Sequence, residues 1–201
     1  MKHLIKKLTE TLSPSGYESV IRDVIMDEIK DLADEIRVDA LGNLIARKGS
    51  GGKKIMLAAH MDEIGLIVNH VDENGFARFS PLGTFLPHTL VGARVRFLNG
   101  AYGVVGTEYL KVETQKKLAP LDKMFIDTGA SSSKDSPVKI GDVAALERPF
   151  HDLGKRLIAK SMDNRVSVAV LIETMRKLKT TAHEVYFVFT TQEEVQVRGA
   201  T

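Results

Sequence analysis

The chain has 201 residues, of which 43% are hydrophobic and 27% charged, enough apolar material for a real core and too much for wholesale disorder. Its net charge is only +2, with acidic and basic residues interleaved, so charge points to no nucleic-acid partner. Cysteine and tryptophan are absent, which excludes disulfides, thiolate metal sites and cysteine nucleophiles and leaves few stacking platforms. No apolar run approaches the roughly 20 residues of a membrane span. The start, Met1-Lys2-His3-Leu4-Ile5-Lys6-Lys7, lacks the apolar stretch of a signal peptide. The expected setting is the cytoplasm, with no membrane partner.

Taken in chain order, residues 2–12 place Leu4, Ile5, Leu8 and Leu12 on one helical face. Ser13-Pro14-Ser15-Gly16 breaks that helix, and Ser15 with Glu18 spells an S-x-x-E capping box for a second one. Val20, Ile21, Val24, Ile25, Ile29 and Leu32 form its apolar stripe. Two short strands are predicted over Glu35–Asp39 and Asn43–Arg47. The run Lys54-Ile-Met-Leu-Ala-Ala-His60 predicts a buried parallel strand.

The texture changes over residues 66–155, where short strands alternate with turn signals such as Glu73-Asn74-Gly75 and Asn99-Gly100. Ala93–Leu98 and Ala101–Val105 read as one hairpin, and Val138–Leu146 as a further strand. This stretch predicts a small β-barrel-like domain. A helix after Ser161 and a strand over Glu184–Thr191 then return to the earlier pattern. The whole predicts an α/β domain over 1–65 and 156–201, its sheet mixed or parallel and flanked by helices, interrupted by a β-rich insert at 66–155.

Three polar clusters sit where elements begin or end. His60-Met61-Asp62-Glu63 closes an apolar strand, the position where α/β sheets gather their sites. A His two residues before an Asp can bind a metal while the carboxylate orients the ring, or can simply mark a strand end turning polar. Ser161-Met162-Asp163-Asn164-Arg165 precedes a helix, where Asp163 taken alone reads as an N-cap. Glu193-Glu194 follows a strand that carries no charge between Val185 and Thr191; adjacent carboxylates repel, so they call for a cation or for solvent. One imidazole and several carboxylates make a hard nitrogen and oxygen donor set suited to Zn²⁺, Co²⁺ or Mn²⁺.

These clusters belong to a longer ordered series: Ser13-Pro-Ser-Gly16, Asp39-Ala-Leu-Gly-Asn43, Ala58-Ala-His-Met-Asp-Glu-Ile-Gly65, Ile126-Asp-Thr-Gly-Ala-Ser131, Lys160-Ser-Met-Asp-Asn-Arg165 and Thr191-Gln-Glu-Glu-Val195. In that order they resemble metallopeptidase family 42, which includes tetrahedral and deblocking aminopeptidases and some members labelled endoglucanase. The resemblance implies an aminopeptidase that hydrolyses N-terminal residues from peptides through water activated by two divalent ions, Zn²⁺ or Co²⁺. It also implies a homo-oligomer, dimeric or tetrahedral. By position, His60 would ligate one metal and Asp62 hold its ring. Asp163 would bridge both metals, Glu193 would be the general base, and Glu194 would ligate the second metal. A cis peptide is implied at Asp163–Asn164. Family members continue past this point with another Asp and a late His as ligands. The expectation is therefore a truncated chain with weak or empty metal sites and little activity alone.

Competing readings are an endoglucanase-type glycoside hydrolase built on the carboxylate pair and a non-enzymatic oligomerisation module built on the insert. Asp127-Thr-Gly-Ala-Ser131 also matches the aspartic-protease signature, against the simpler reading of a strand ending in a small-residue turn. His88, in a loop of the insert, is a candidate for a substrate-side role, whereas His3, His70, His151 and His183 read as surface or structural.

Overall fold

Alternation decides the first sheet. In Glu184–Thr190 (β12), Val185, Phe187 and Phe189 are buried while Glu184, Tyr186 and Val188 point the other way. The computed structural model describes residues 1–108 and 119–200; part of the expected insert, 109–118, lies outside the described residues. Two compact units emerge, one of Met1–Glu63 with Pro149–Thr201 and one of Ile64–Arg148.

In the first unit, strands Glu35–Val38 (β1), Leu44–Lys48 (β2) and Lys54–His60 (β3) join β12 in the order β1-β2-β12-β3, and the short strands His151–Asp152 (β10) and Leu157–Ile158 (β11) pair antiparallel with each other. β12 runs antiparallel to β2 and parallel to β3, with Thr190 opposite His60. Helices Lys2–Glu10 (α1), Ser19–Ile29 (α2) and Met162–Lys177 (α3) share one core with this sheet. Leu4, Ile5 and Leu8 of α1, Ile21, Ile25 and Ile29 of α2, and Val168, Ala169, Ile172 and Met175 of α3 meet Leu44, Ala46, Phe187 and Phe189. Truncating either phenylalanine to alanine would cost about 3–5 kcal/mol, a large part of a domain's stability. Val170 of α3 is exposed.

Two local expectations are overturned. β3 is parallel but not buried along its length: Ile55 and Met56 are exposed, Met56 at 70%, and burial begins at Ala59. They border an open groove of about 400 Å³, with Ile45, Tyr186 and Val188, on the face away from the helices. A continuous apolar run fits a strand covered on both faces and a strand covered on one equally well. The capping box also fails to form. Ser13 Oγ accepts the Ile21 N–H at 3.1 Å and so caps α2 from upstream. Ser15 and Glu18 make contacts elsewhere, described below.

The second unit is a closed barrel of Gly65–Val71 (β4), Ala77–Leu82 (β5), Arg94–Phe97 (β6), Tyr102–Thr107 (β7), Met124–Asp127 (β8) and Val143–Leu146 (β9), in the order β4-β5-β8-β7-β6-β9. Leu66, Val68, Phe79, Val95, Phe97, Val105, Met124 and Ile126 fill it. Among the described residues, closure gives every barrel strand a neighbour on both sides, which limits the open edge available for edge-to-edge aggregation. β6 and β7 are the expected hairpin, while the strand expected at Val138–Leu146 begins only at Val143. Asp127 ends β8 and its carboxylate accepts the Gly129 N–H at 2.8 Å, which is the small-residue turn rather than a protease site. His88 is exposed in a short 3-10 turn, Pro87–Thr89. Among the described residues, no helix is long and apolar enough to cross a membrane.

Candidate metal centre

Parallel pairing of β3 with β12 brings two strand ends together. Met61 N–H extends the ladder to Thr190 O at 2.8 Å, and the segments after His60 and Thr190 leave the sheet side by side. This is the rim where open α/β sheets bind ligands.

Asp62 organises that rim. It is fully buried; Oδ1 accepts the Glu193 N–H and Oδ2 the Glu194 N–H, each at 3.1 Å. Oδ2 also accepts the Ser15 hydroxyl at 2.6 Å, and Oδ1 lies 3.3 Å from His60 Nδ1, an ion-pair contact outside hydrogen-bond alignment. Burial by itself would raise the Asp62 pKa. The His60 contact, the Ser15 hydroxyl and the two amides outweigh it and hold the carboxyl below its ordinary value.

His60 is buried, with Nε2 3.0 Å from Asp163 Oδ1 and 3.8 Å from Glu193 Oε2. Burial opposes its charged form, but Asp62, Asp163 and the charge of Glu193 raise its pKa from 6.5 to about 9. Glu194 is pushed the other way from an ordinary acid. Burial raises its pKa and the neighbouring Asp62, Glu193 and Asp163 add to the rise, against the opposing charge of His60. A set of acids this crowded, gathered on one imidazole, lacks positive charge. Among the described residues, ligand atoms of His60, Glu193 and Glu194 lie within 4.8 Å of one another. Buried imidazole nitrogen and carboxylate oxygens at such spacing fit a hard divalent cation.

The supporting residues come from three further segments. Glu18 Oε1 accepts the N–H groups of Gly16 at 2.8 Å and Gln192 at 3.0 Å. Its pKa is raised by burial above all, against those backbone bonds, with Asp62 adding to the rise. Asn43 Oδ1 accepts the Thr191 N–H at 2.8 Å, and its Nδ2 donates to Asp39 Oδ2 and Gly199 O, each at 2.8 Å. Ser161 and Gln192, the residues leading into Asp163 and Glu193, both sit in the left-handed region, at φ 55° and 54°. Such conformations cost of order 1–3 kcal/mol and persist where surroundings impose them.

His60, Asp62, Glu193 and Glu194 thus lie together. Asp163 reaches the group at His60 but lies outside the 4.8 Å set, its side chain 87% exposed. It makes no cap for α3: the helix begins at an N-cap Ser161 without a side-chain bond, and the Asp163–Asn164 peptide is cis. Sequence reasoning missed Ser15 and Glu18 as supports, since their spacing also satisfies a local helix rule. For Ser15, its place in the Ser13-Pro-Ser-Gly16 motif was the available signal; Glu18 lies just outside that motif and carried none.

A family model described as M42 glutamyl aminopeptidase matches residues 42–201. A curated relative from Acetivibrio thermocellus is 48% identical over 202 residues, covering 100% of this chain and 61% of the relative. Among solved structures, aminopeptidase APDkam598 from the archaeon Desulfurococcus kamchatkensis superposes with a TM-score of 0.93 at 38% identity, covering 99% of this chain and 58% of that one. The TET1 peptidase of Pyrococcus horikoshii, which can assemble into a tetrahedron or a large octahedral shell, superposes at 0.90 with 36% identity, covering 98% and 63%. The chain spans less than two thirds of the length of the curated relatives it matches. With the motifs, the strand-end site and a model match over most of its residues in agreement, the chain belongs to the M42 glutamyl aminopeptidase family.

Proposed function

We propose that this chain carries the metal-binding part of an aminopeptidase that removes N-terminal residues from peptides. One observation supports the reading above the rest: ligand atoms of His60, Glu193 and Glu194 converge within 4.8 Å at the end of two parallel strands. His60 and Asp163 would hold one divalent cation, and Asp163 and Glu194 a second, with Zn²⁺ or Co²⁺ suited to the donors. Bound there, such cations supply Lewis acidity, polarising a carbonyl and making water easier to deprotonate.

The chain's own groups do the rest. Glu193 is the proton acceptor: its backbone is pinned by Asp62, while its side chain stays 37% exposed and open to a substrate. Asp62 holds the Glu193–Glu194 segment and faces the His60 ring, keeping the imidazole oriented toward Asp163. By likeness to the assembling TET1 peptidase, the working protein is a homo-oligomer.

The test is hydrolysis of a series of aminoacyl-p-nitroanilides by the whole protein, with Co²⁺ or Zn²⁺ and then with a chelator. Turnover that a chelator abolishes and that His60→Gln lacks is expected. Turnover unaffected by chelation overturns the reading, and release of reducing sugar from a β-glucan without amide hydrolysis replaces it with the glycosidase.

A further inference from the structure

Beneath the proposed centre lies a buried charge cluster with no part in the chemistry above. Glu63, three residues after His60, is 2% exposed, and its carboxylate ties separate stretches of chain together. Oε1 accepts the Ser13 N–H at 2.8 Å. Oε2 accepts Lys160 Nζ at 2.5 Å and also the Ser161 hydroxyl. Arg165, fully buried, brings Nη2 to 4.0 Å from Oε1 while its Nη1 donates to Leu8 O at 2.6 Å. Buried ion pairs contribute little net stability compared with apolar packing of the same volume. A cluster of this kind therefore calls for a role in geometry.

Ser161 supplies the link. It sits at φ 55°, where a serine stays only if something outside the backbone fixes it, and its hydroxyl is bound to Glu63. Asp163 follows two residues later. Its side chain is largely exposed and meets His60 Nε2 at 3.0 Å, so the backbone leading to it decides where its carboxylate stands. We propose that Glu63 is a positioning residue, which holds Lys160 and Ser161 on the strand end and thereby sets Asp163 against His60. The consequence for metal uptake rests on the ligand roles proposed for those two residues.

Two variants test it. Ser161→Gly removes the hydroxyl yet suits the left-handed backbone, so the fold is not at risk. Glu63→Gln keeps the shape and removes an acceptor. For each, three measurements are made: the melting midpoint in chelator, the Asp163–His60 distance in a metal-free crystal structure, and the affinity and visible spectrum in a Co²⁺ titration. The expected result for Ser161→Gly is an unchanged midpoint, Asp163 beyond about 4 Å from His60 Nε2, and Co²⁺ affinity lowered about 10–100-fold. Glu63→Gln should do the same where it folds; where it does not, Ser161→Gly decides alone. Asp163 still within hydrogen-bond reach of His60 in Ser161→Gly overturns the proposal. If the unsubstituted chain takes up no Co²⁺, the metal reading fails, and the distance still decides the positioning role.

Discussion

Asp62 Oδ1 accepts the backbone N–H of Glu193 at 3.1 Å, and through its second oxygen the same carboxylate accepts that of Glu194. One buried side chain thus orders the whole acidic segment as well as facing the His60 ring. In Asp62→Asn, the amide NH₂ would face a backbone N–H whichever oxygen it replaces, that of Glu193 or that of Glu194, leaving a buried donor without an acceptor. The cost is about 1–3 kcal/mol of stability and about 10–100-fold in metal affinity. Urea denaturation and Co²⁺ titration read the two separately; a variant with unaltered affinity would mean that Asp62 does not govern the segment.

The pH dependence follows from His60. Its folded pKa of about 9 lies above the ordinary 6.5, so the charged imidazole stabilises the folded chain. That contribution is complete below pH 6.5 and disappears as pH rises through 9. In chelator, the difference in melting midpoint between the unsubstituted chain and His60→Gln should shrink from pH 6 to pH 9.5. The same proton competes with a metal ion, so Co²⁺ affinity should rise up to about tenfold per pH unit below 9. Flat affinity from pH 6 to 8.5 would show that His60 carries no proton to displace.

Sequence pattern reveals a structure where one local period decides, and fails where distant segments compete. The run Val185–Phe189 announces a strand by its length and its β-branched and aromatic residues, while the burial of Val185, Phe187 and Phe189 on one face is seen only in the fold. The barrel hairpin was equally plain, since Asn99-Gly100 is a turn wherever it falls between apolar arms. Ser15 and Glu18 obey the capping rule in isolation, yet the folded chain spends them on Asp62 and Gln192, which are 47 and 174 residues away. Glu63 illustrates the same limit: its partners Lys160 and Ser161 stand 97 and 98 residues off, beyond any local period. His60, Asp62, Glu193 and Glu194 were legible as candidates because both clusters end strands; their mutual distances needed the parallel register of β3 on β12.

Gly199 marks a second support behind the acidic segment. A Cβ there would stand 2.3 Å from Thr191 O and 2.6 Å from Asn43 Oδ1, closer than atoms can pack. Asn43 and Thr191 would have to move, and Thr191 leads directly to Gln192 and Glu193. Gly199→Ala should destabilise by about 1–3 kcal/mol, the usual cost of overpacking, and weaken Co²⁺ binding with it. Thermal denaturation of the variant at full stability would show that the close approach is not required.

The segment after Glu194 carries the opposite kind of strain. Gln196 and Val197 sit at φ 74° and 57°, left-handed values that a side chain resists and a β-branched one resists most. Both side chains are exposed, so neither is held by burial that a substitution would forfeit. The backbone is held instead by Val197 N–H on Glu193 O at 2.8 Å and Arg198 N–H on Gln192 O at 3.1 Å. Glycine removes a conformational cost of about 1–2 kcal/mol per residue, less the entropy it adds to the unfolded chain. Gln196→Gly and Val197→Gly should each therefore stabilise by up to about 1 kcal/mol, the second more than the first. The hydrogen bonds to Gln192 and Glu193 survive in both, so metal affinity should not fall. Chemical denaturation with a parallel Co²⁺ titration distinguishes the outcomes: a lower midpoint in both variants would mean the left-handed turn is not a source of strain, because the side chains would then be contributing more than their backbone conformation costs.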